Sequence, residues 1–545
     1  VWLLVAGLAL VAGLPAATRA WRAVRASAAA ASAYERTLLA FTLALLAVLV
    51  AGSLVPPFAI DVLRHHLRVA REAVADGRLV FRPTFFDAQP MAGEMSYVWG
   101  LLLHGPLVGK VVLAGHGVVA VVAVAALARR AGGRQAARHA AVVAAAMTPF
   151  WNFGLEGKPD LALLMYTALA LLAFEVWRAG DDRAIVLAGV FAGFAASSKL
   201  FGLVVAAALG VIVLVVAVLE RRRPAMLVAA VAGALAVGAP WYARTWAAAG
   251  HPLWPLVVVD GAAGGTIADD LWRRFGAHQA AAGNVVFRLA AAIASHPDVH
   301  GRAPIGPLFM AAVPLLLLAP GLRRVWPWLA WGGLYAAGWC LTAPYARYLL
   351  PALLVWSAVT GSALAAARAL GPLTRGAIAV VTLAWAATSL AAGVSQVARM
   401  APVVVGAEPV DAFLTRVTSH HADIVWMNRT LPATAVVASA YPGLAYLERR
   451  AIWLEDLQAF VDVEAAPSLD ALRAALERWG VTHLFLVEDP GDPAPPPGRR
   501  RLAELAARCG TVVYENLASV AVTSVFLGES ERLRTRVVAL RRGCG

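Results

Sequence analysis

Lysine is almost missing from this chain. Of its 47 basic residues only Lys110, Lys158 and Lys199 are lysine, and the other forty-four are arginine. Charge of both signs is thin: 15% of the 545 residues are charged against 60% hydrophobic, which leaves too little polar surface to coat a soluble globule of this length. Cysteine is scarce and says little. Cys340 falls in an apolar run, and Cys509 and Cys544 can pair only if the fold brings them together. No cluster of His, Cys, Asp and Glu has convincing zinc spacing: the vicinal His65-His66 point to different helix faces, and His296 and His300 read as loop residues. No nucleic-acid module accompanies the net charge of +14.

What the chain does have is long apolar runs. Windows able to cross about 30 Å of hydrocarbon recur at 1–17, 38–60, 107–128, 140–156, 161–178, 184–198, 200–219, 225–243, 304–321, 325–342, 346–367 and 375–395. The expected fold is a polytopic α-helical membrane protein of about twelve spans. Val1 begins inside an apolar run that lacks the basic flank of a cleavable signal peptide, so it reads as a span.

Arginines set the orientation. Arg19, Arg22, Arg25, then Arg129, Arg130, Arg134, Arg138, then Arg221 to Arg223, Arg323 with Arg324, and Arg368 with Arg375 occupy alternate connections. The positive-inside rule makes those loops cytoplasmic. Segments 61–106 and 244–303, the turns at 157–160 and 343–347, and everything after about 396 then lie outside. Loop 61–106 carries five arginines against that trend, although long loops weigh less in the rule.

After Gln396 the composition becomes mixed. Short β-branched runs at Ala435–Ala438, His483–Val487, Thr511–Tyr514 and Val520–Phe526 alternate with helical patterns at Leu469–Trp479, capped by Ser468, and Arg501–Ala507. The chain therefore divides into a membrane domain, 1–396, a small extracytoplasmic α/β domain, 403–528, and a tail, 529–545, read as a loose helix. The Pro-rich stretch Asp489–Gly498 reads as a surface loop.

Chemistry belongs at the outer ends of the spans, where buried ionisable groups demand compensation. Asp61 ends an apolar run and opens an amphipathic segment, 61–77, with Leu63, Leu67, Ala70 and Val74 on one stripe. It is either the N-cap of that helix or, sharing a face with Arg64 and His65, a base beside phosphate-binding groups. In a chain whose default cation is arginine, Lys158 and Lys199 mark places where a compact ammonium suits a lipid-linked phosphate, or else they snorkel toward headgroups. Asp160, after Lys158-Pro159, is either ordinary helix-start chemistry or part of the same group. All four fall on one side of the membrane in an orientation assigned from arginines alone.

The order of these pieces resembles the GT-C superfamily of polytopic glycosyltransferases, in its bacterial branch related to the protein mannosyltransferase and aminoarabinose transferase families. Asp61 followed by His66, then Asp76-Gly-Arg-Leu79, Gln89-Pro90, Glu94 and Tyr97 resemble the family's first outer loop. Lys158-Pro-Asp160, Ser197-Ser-Lys199-Leu-Phe-Gly202, Pro240-Trp-Tyr-Ala-Arg244 with Gly250-His-Pro-Leu-Trp-Pro255, and Arg347-Tyr348-Leu-Leu-Pro351 follow in family order. The adjacent acidic pair of some members is absent, since Ile60 and Val62 flank Asp61, and His65 stands where tyrosine is commoner.

The resemblance implies inverting transfer of a sugar from a polyprenyl-phosphate donor to a glycan, lipid or protein at the outer face of a bacterial cytoplasmic membrane. It implies Asp61 as base and Asp160 as a second catalytic residue that orients acceptor or sugar hydroxyls, with His66, Glu94, Lys158, Lys199, Arg244, Arg347 and Tyr348 on the substrate. No cofactor is required, because side chains neutralise the phosphate; a divalent metal, if used, would sit between Asp61 and Asp160. A lipid-linked saccharide flippase and a non-catalytic scaffold displaying the α/β domain are the alternatives. The flippase predicts mid-span ionisable groups and internal repeats, which the sequence does not show convincingly.

Overall fold

The computed structural model describes Thr18, Arg22 and residues 31–541, apart from 83, 258–306, 319–321, 343–345, 455–456, 465, 489–496 and 526–527. Seven of the described helices are long and apolar enough to cross a membrane: Ala33–Ser53, Pro106–Ala145, Asp160–Arg178, Phe201–Leu219, Pro224–Ala249, Arg347–Leu370 and Pro372–Val404. Ala184–Ser198 is a shorter apolar helix between them, and Pro307–Leu318 and Leu322–Leu341 fall on two further expected windows. The window at 1–17 lies outside the described residues.

Local chemistry moved two boundaries. The window at 38–60 is a helix over Ala33–Ser53, started by a capping box in which Ser32 and Glu35 bond each other's backbone N–H. It stops short of Pro56-Pro57, which cannot continue a helix. The window at 140–156 is not one span. Gly133, with non-helical angles, breaks the helix Pro106–Ala145, and a separate helix, Thr148–Glu156, begins with Pro149 in its first turn.

Small residues let the spans close. Gly189 and Gly193, four apart on Ala184–Ser198, meet the backbone of Ala230 and Ala234 on Pro224–Ala249 so closely that a Cβ on either glycine would clash. Helix pairs in a bilayer rely on such close approach, since lipid offers no hydrophobic drive between them. The buried core includes Phe150, Phe174, Trp177, Trp328, Trp331 and Trp339.

The C-terminal domain follows Pro372–Val404. Its five-stranded sheet has the order β2-β1-β3-β5-β4, with β1 Val436–Ser439, β2 Arg450–Trp453, β3 His483–Glu488, β4 Gly510–Ser524 and β5 Glu529–Leu540. β1 runs parallel to β2 and β3, and β5 runs antiparallel to β3 and β4. Helices Leu469–Arg478, capped by the Ser468 hydroxyl, and Pro497–Cys509 match the expected patterns.

Three expectations change here. The tail read as a loose helix is a central strand, β5: Leu533, Thr535 and Val537 are buried while Arg532 and Arg534 are exposed, a two-residue period hidden by its arginines. The domain therefore extends past residue 528. The two runs at 511–514 and 520–526 form one long strand, β4, and Gly498 belongs to a helix rather than the Pro-rich loop, its N–H donated to the carboxylate of Glu464. Cys509 is disulfide-bonded, and Cys544 lies outside the described residues.

Candidate functional site

Asp61 follows the irregular stretch after Ser53 and leads into a π-helical turn, Val62–His66, before the helix Leu67–Asp76. Such turns occur often at functional sites. The amphipathic reading of 61–77 holds: Leu63, Leu67 and Ala70 are buried, Val74 is half-buried, and Gly77 ends the helix in the left-handed region. The capping reading of Asp61 does not hold, because its side chain makes no cap hydrogen bond.

The Asp61 carboxylate, 6% exposed, is instead ringed by cations. Arg64 donates to Oδ1 at 2.8 Å, Arg347 to Oδ2 at 2.5 Å, and Lys158 Nζ lies 3.5 Å from Oδ2. Arg347 comes from the short turn Ala346–Leu349 at the start of a late span. It also donates to the Tyr348 hydroxyl at 3.1 Å.

Lys158 is buried beside Glu156, Nζ to Oε2 2.7 Å. Burial pulls its pKa down, but Glu156 and then Asp61 outweigh that and raise it, so the ammonium stays charged. The turn that presents it depends on Gly157, held at φ 83°. A Cβ there would collide with the Tyr97 hydroxyl and the Lys110 stem, and the same hydroxyl donates to Gly157 O at 2.6 Å.

Asp160 begins the next span and accepts from Lys199 Nζ at 2.6 Å. Lys199 sits in the extended break between Ala184–Ser198 and Phe201–Leu219. Its ammonium lies 5.9 Å from the Tyr348 ring, which stacks on Phe201 at 4.6 Å. Tyr348 and Arg347 thus join the Asp61 group to the Asp160–Lys199 pair.

His66 and Glu94 form a buried pair, Nδ1 to Oε1 2.7 Å. Burial lowers the His66 pKa despite the opposing hydrogen bond and charge of Glu94, so the neutral ring donates to the carboxylate. Glu94 Oε2 is buried and has no hydrogen-bond partner among the described residues.

Arg244 is placed differently. It donates to the carbonyls of Asp87 and Gln89 and lies 5.6 Å from the Trp241 ring, bracing the first loop rather than joining the Asp61 group. Sequence reading passed over Lys110, whose buried ammonium donates to Val55 O at 2.6 Å and Leu155 O at 2.7 Å. Its rarity as one of three lysines was the available signal. Among the described residues no group of three or more His, Cys, Asp or Glu is placed to hold a metal ion.

Apolar spans with acidic and basic side chains gathered around Asp61 and Asp160, a helical first loop and an appended small sheet domain define a polytopic α-helical membrane protein. Residues 108–243 match the family model of dolichyl-phosphate-mannose-protein mannosyltransferase. The fold is similar to that of ArnT from Cupriavidus metallidurans bound to undecaprenyl phosphate, with a TM-score of 0.61 and 16% identity over 95% of this chain and 99% of that one. The apo form of the same protein gives a TM-score of 0.62 and 16% identity over 93% and 98%. No protein of curated function matches the chain by sequence.

Proposed function

We propose that the protein is an integral-membrane glycosyltransferase that moves a sugar from a polyprenyl-phosphate donor to a glycan, lipid or protein acceptor, with inversion. The observation that carries this reading is the buried Asp61 carboxylate held among Arg64, Arg347 and Lys158. The ArnT whose fold it shares binds undecaprenyl phosphate, which supports the same class of lipid carrier here.

The acceptor hydroxyl attacks the anomeric carbon from the face opposite the phosphate and gives its proton to Asp61. The bond from that carbon to the phosphate oxygen breaks, and polyprenyl phosphate leaves with the electron pair. Lys158, Lys199 and Arg347 stabilise the charge that develops on it. A phosphate that draws Arg347 and Lys158 toward itself loosens their hold on Asp61, so the carboxylate gains basicity when donor is bound. Glu94, through Oε2, accepts from a sugar or acceptor hydroxyl while His66 fixes its orientation; Asp160 orients Lys199.

The site lies on the outer face of a bacterial cytoplasmic membrane in this reading, where a lipid donor arrives laterally from the bilayer. Inactivating the gene tests it: a lipid-linked sugar should accumulate in the membrane and disappear on complementation. An unchanged pool of lipid-linked sugars would overturn the proposal.

A further inference from the structure

A side chain of the C-terminal domain, Trp453, reaches Arg64 of the Asp61 group. Trp453, the last residue of β2, has its indole N–H fixed on Ala440 O at 2.9 Å. Its ring lies 6.4 Å from that of Phe86 in the first loop, tilted by 19°. The Arg64 guanidinium carbon completes a triangle, 5.5 Å from Trp453 and 5.1 Å from Phe86. His65 also stacks on Phe86, with ring centroids 3.9 Å apart. The same two domains are pinned nearby, where Tyr446 donates to Pro57 O at 2.7 Å and Arg71 donates to Ala445 O at 2.5 Å.

A guanidinium held at ring faces is restricted in the rotamers it can adopt. Arg64 is 27% exposed and therefore has solvent to turn into. The two rings oppose that turn, and Arg64 remains on Asp61 Oδ1 at 2.8 Å.

We propose that Trp453 is a positioning residue for sugar transfer: it holds Arg64 against Asp61, so the reaction in the membrane domain depends on the docked C-terminal domain. This rests on Asp61 being the base. Among the described residues, the charged and titratable groups around that carboxylate include Arg64 and His65 on its own segment, Lys158 with Glu156 from the turn before the Asp160 span, Asp160 paired with Lys199, and Arg347 with Tyr348 from the late turn.

The test uses the full-length protein in detergent, as wild type, Trp453→Leu and Trp453→Phe. Phenylglyoxal labelling of Arg64 is followed by peptide mass spectrometry, and transfer from undecaprenyl-phosphate-linked hexoses and pentoses to an envelope fraction is measured against pH. Trp453→Leu should label Arg64 about threefold faster. Its acidic limb of kcat should move to higher pH, since a carboxylate that loses a cation is protonated more easily, with KM little changed. Trp453→Phe should restore both.

Unchanged Arg64 labelling in Trp453→Leu overturns the proposal, as does faster labelling with an unmoved acidic limb. A wild type that transfers none of these sugars refutes the transferase reading and with it the catalytic half of this proposal, while labelling still decides whether Trp453 holds Arg64.

Discussion

Arg347 and Asp61 are 286 positions apart in sequence, and their side chains meet at 2.5 Å between Nη1 and Oδ2. A late span therefore supplies a cation to the carboxylate at the start of the first loop. Removing it should cost both the orientation of Asp61 and the charge facing the leaving phosphate.

Arg347→Ala is expected to lower kcat by about 100-fold, the usual scale for losing one donor to a developing anion. Arg347→Lys should recover only part of this, because lysine cannot bridge Asp61 and Tyr348 with a planar fork. Steady-state transfer assays on the two variants check it, and equal activity would remove Arg347 from the leaving-group site.

Lys110 joins two segments that the site needs. Its ammonium bonds carbonyls at Val55, ahead of Asp61, and at Leu155, ahead of Lys158. Lys110→Met leaves these buried acceptors unpaired at about 1–3 kcal/mol each. A lowered melting temperature in detergent is expected, and an unchanged one would show that other donors or water take over.

Glu94→Gln keeps the shape of the side chain and removes its charge. Hydrogen bonds to a charged group are worth about 1.5–3 kcal/mol, so KM for donor or acceptor should rise by about tenfold or more while the fold survives. Titrating each substrate separately identifies which one Oε2 receives; no change in either KM would exclude it from substrate binding.

His65 and His66 carry a pH dependence of stability. Burial, followed by the charges of His66 and Arg64, holds the His65 pKa well below its ordinary value, and burial lowers His66 too. The unfolded chain takes up these protons near pH 6.5 and the folded one does not. Stability is therefore full above about pH 6.5 and falls as pH drops below it. His65→Phe, which keeps the stack on Phe86, should flatten the decline in melting temperature between about pH 7.5 and about pH 5. An identical slope would contradict the assignment.

Much of the membrane domain was legible because apolar runs and arginine spacing are direct consequences of bilayer physics. The Lys199–Asp160 and Arg64–Asp61 pairs join residues that the sequence singles out on its own. β5 was not legible, since its arginines mask the alternation of Leu533, Thr535 and Val537. The resemblance put Arg244 on the substrate; among the described residues it donates to the carbonyls of Asp87 and Gln89, and no sequence pattern reveals which backbone groups a fold leaves exposed. Trp453 and Lys110 act across long separations, which a reading of local spacing cannot reach.

The central claim is that Asp61 takes the acceptor proton, and Asp61→Asn tests it most directly. Membranes carrying the variant should still bind an undecaprenyl-phosphate-linked sugar and transfer none of it to acceptor. Transfer at the wild-type rate would contradict the account.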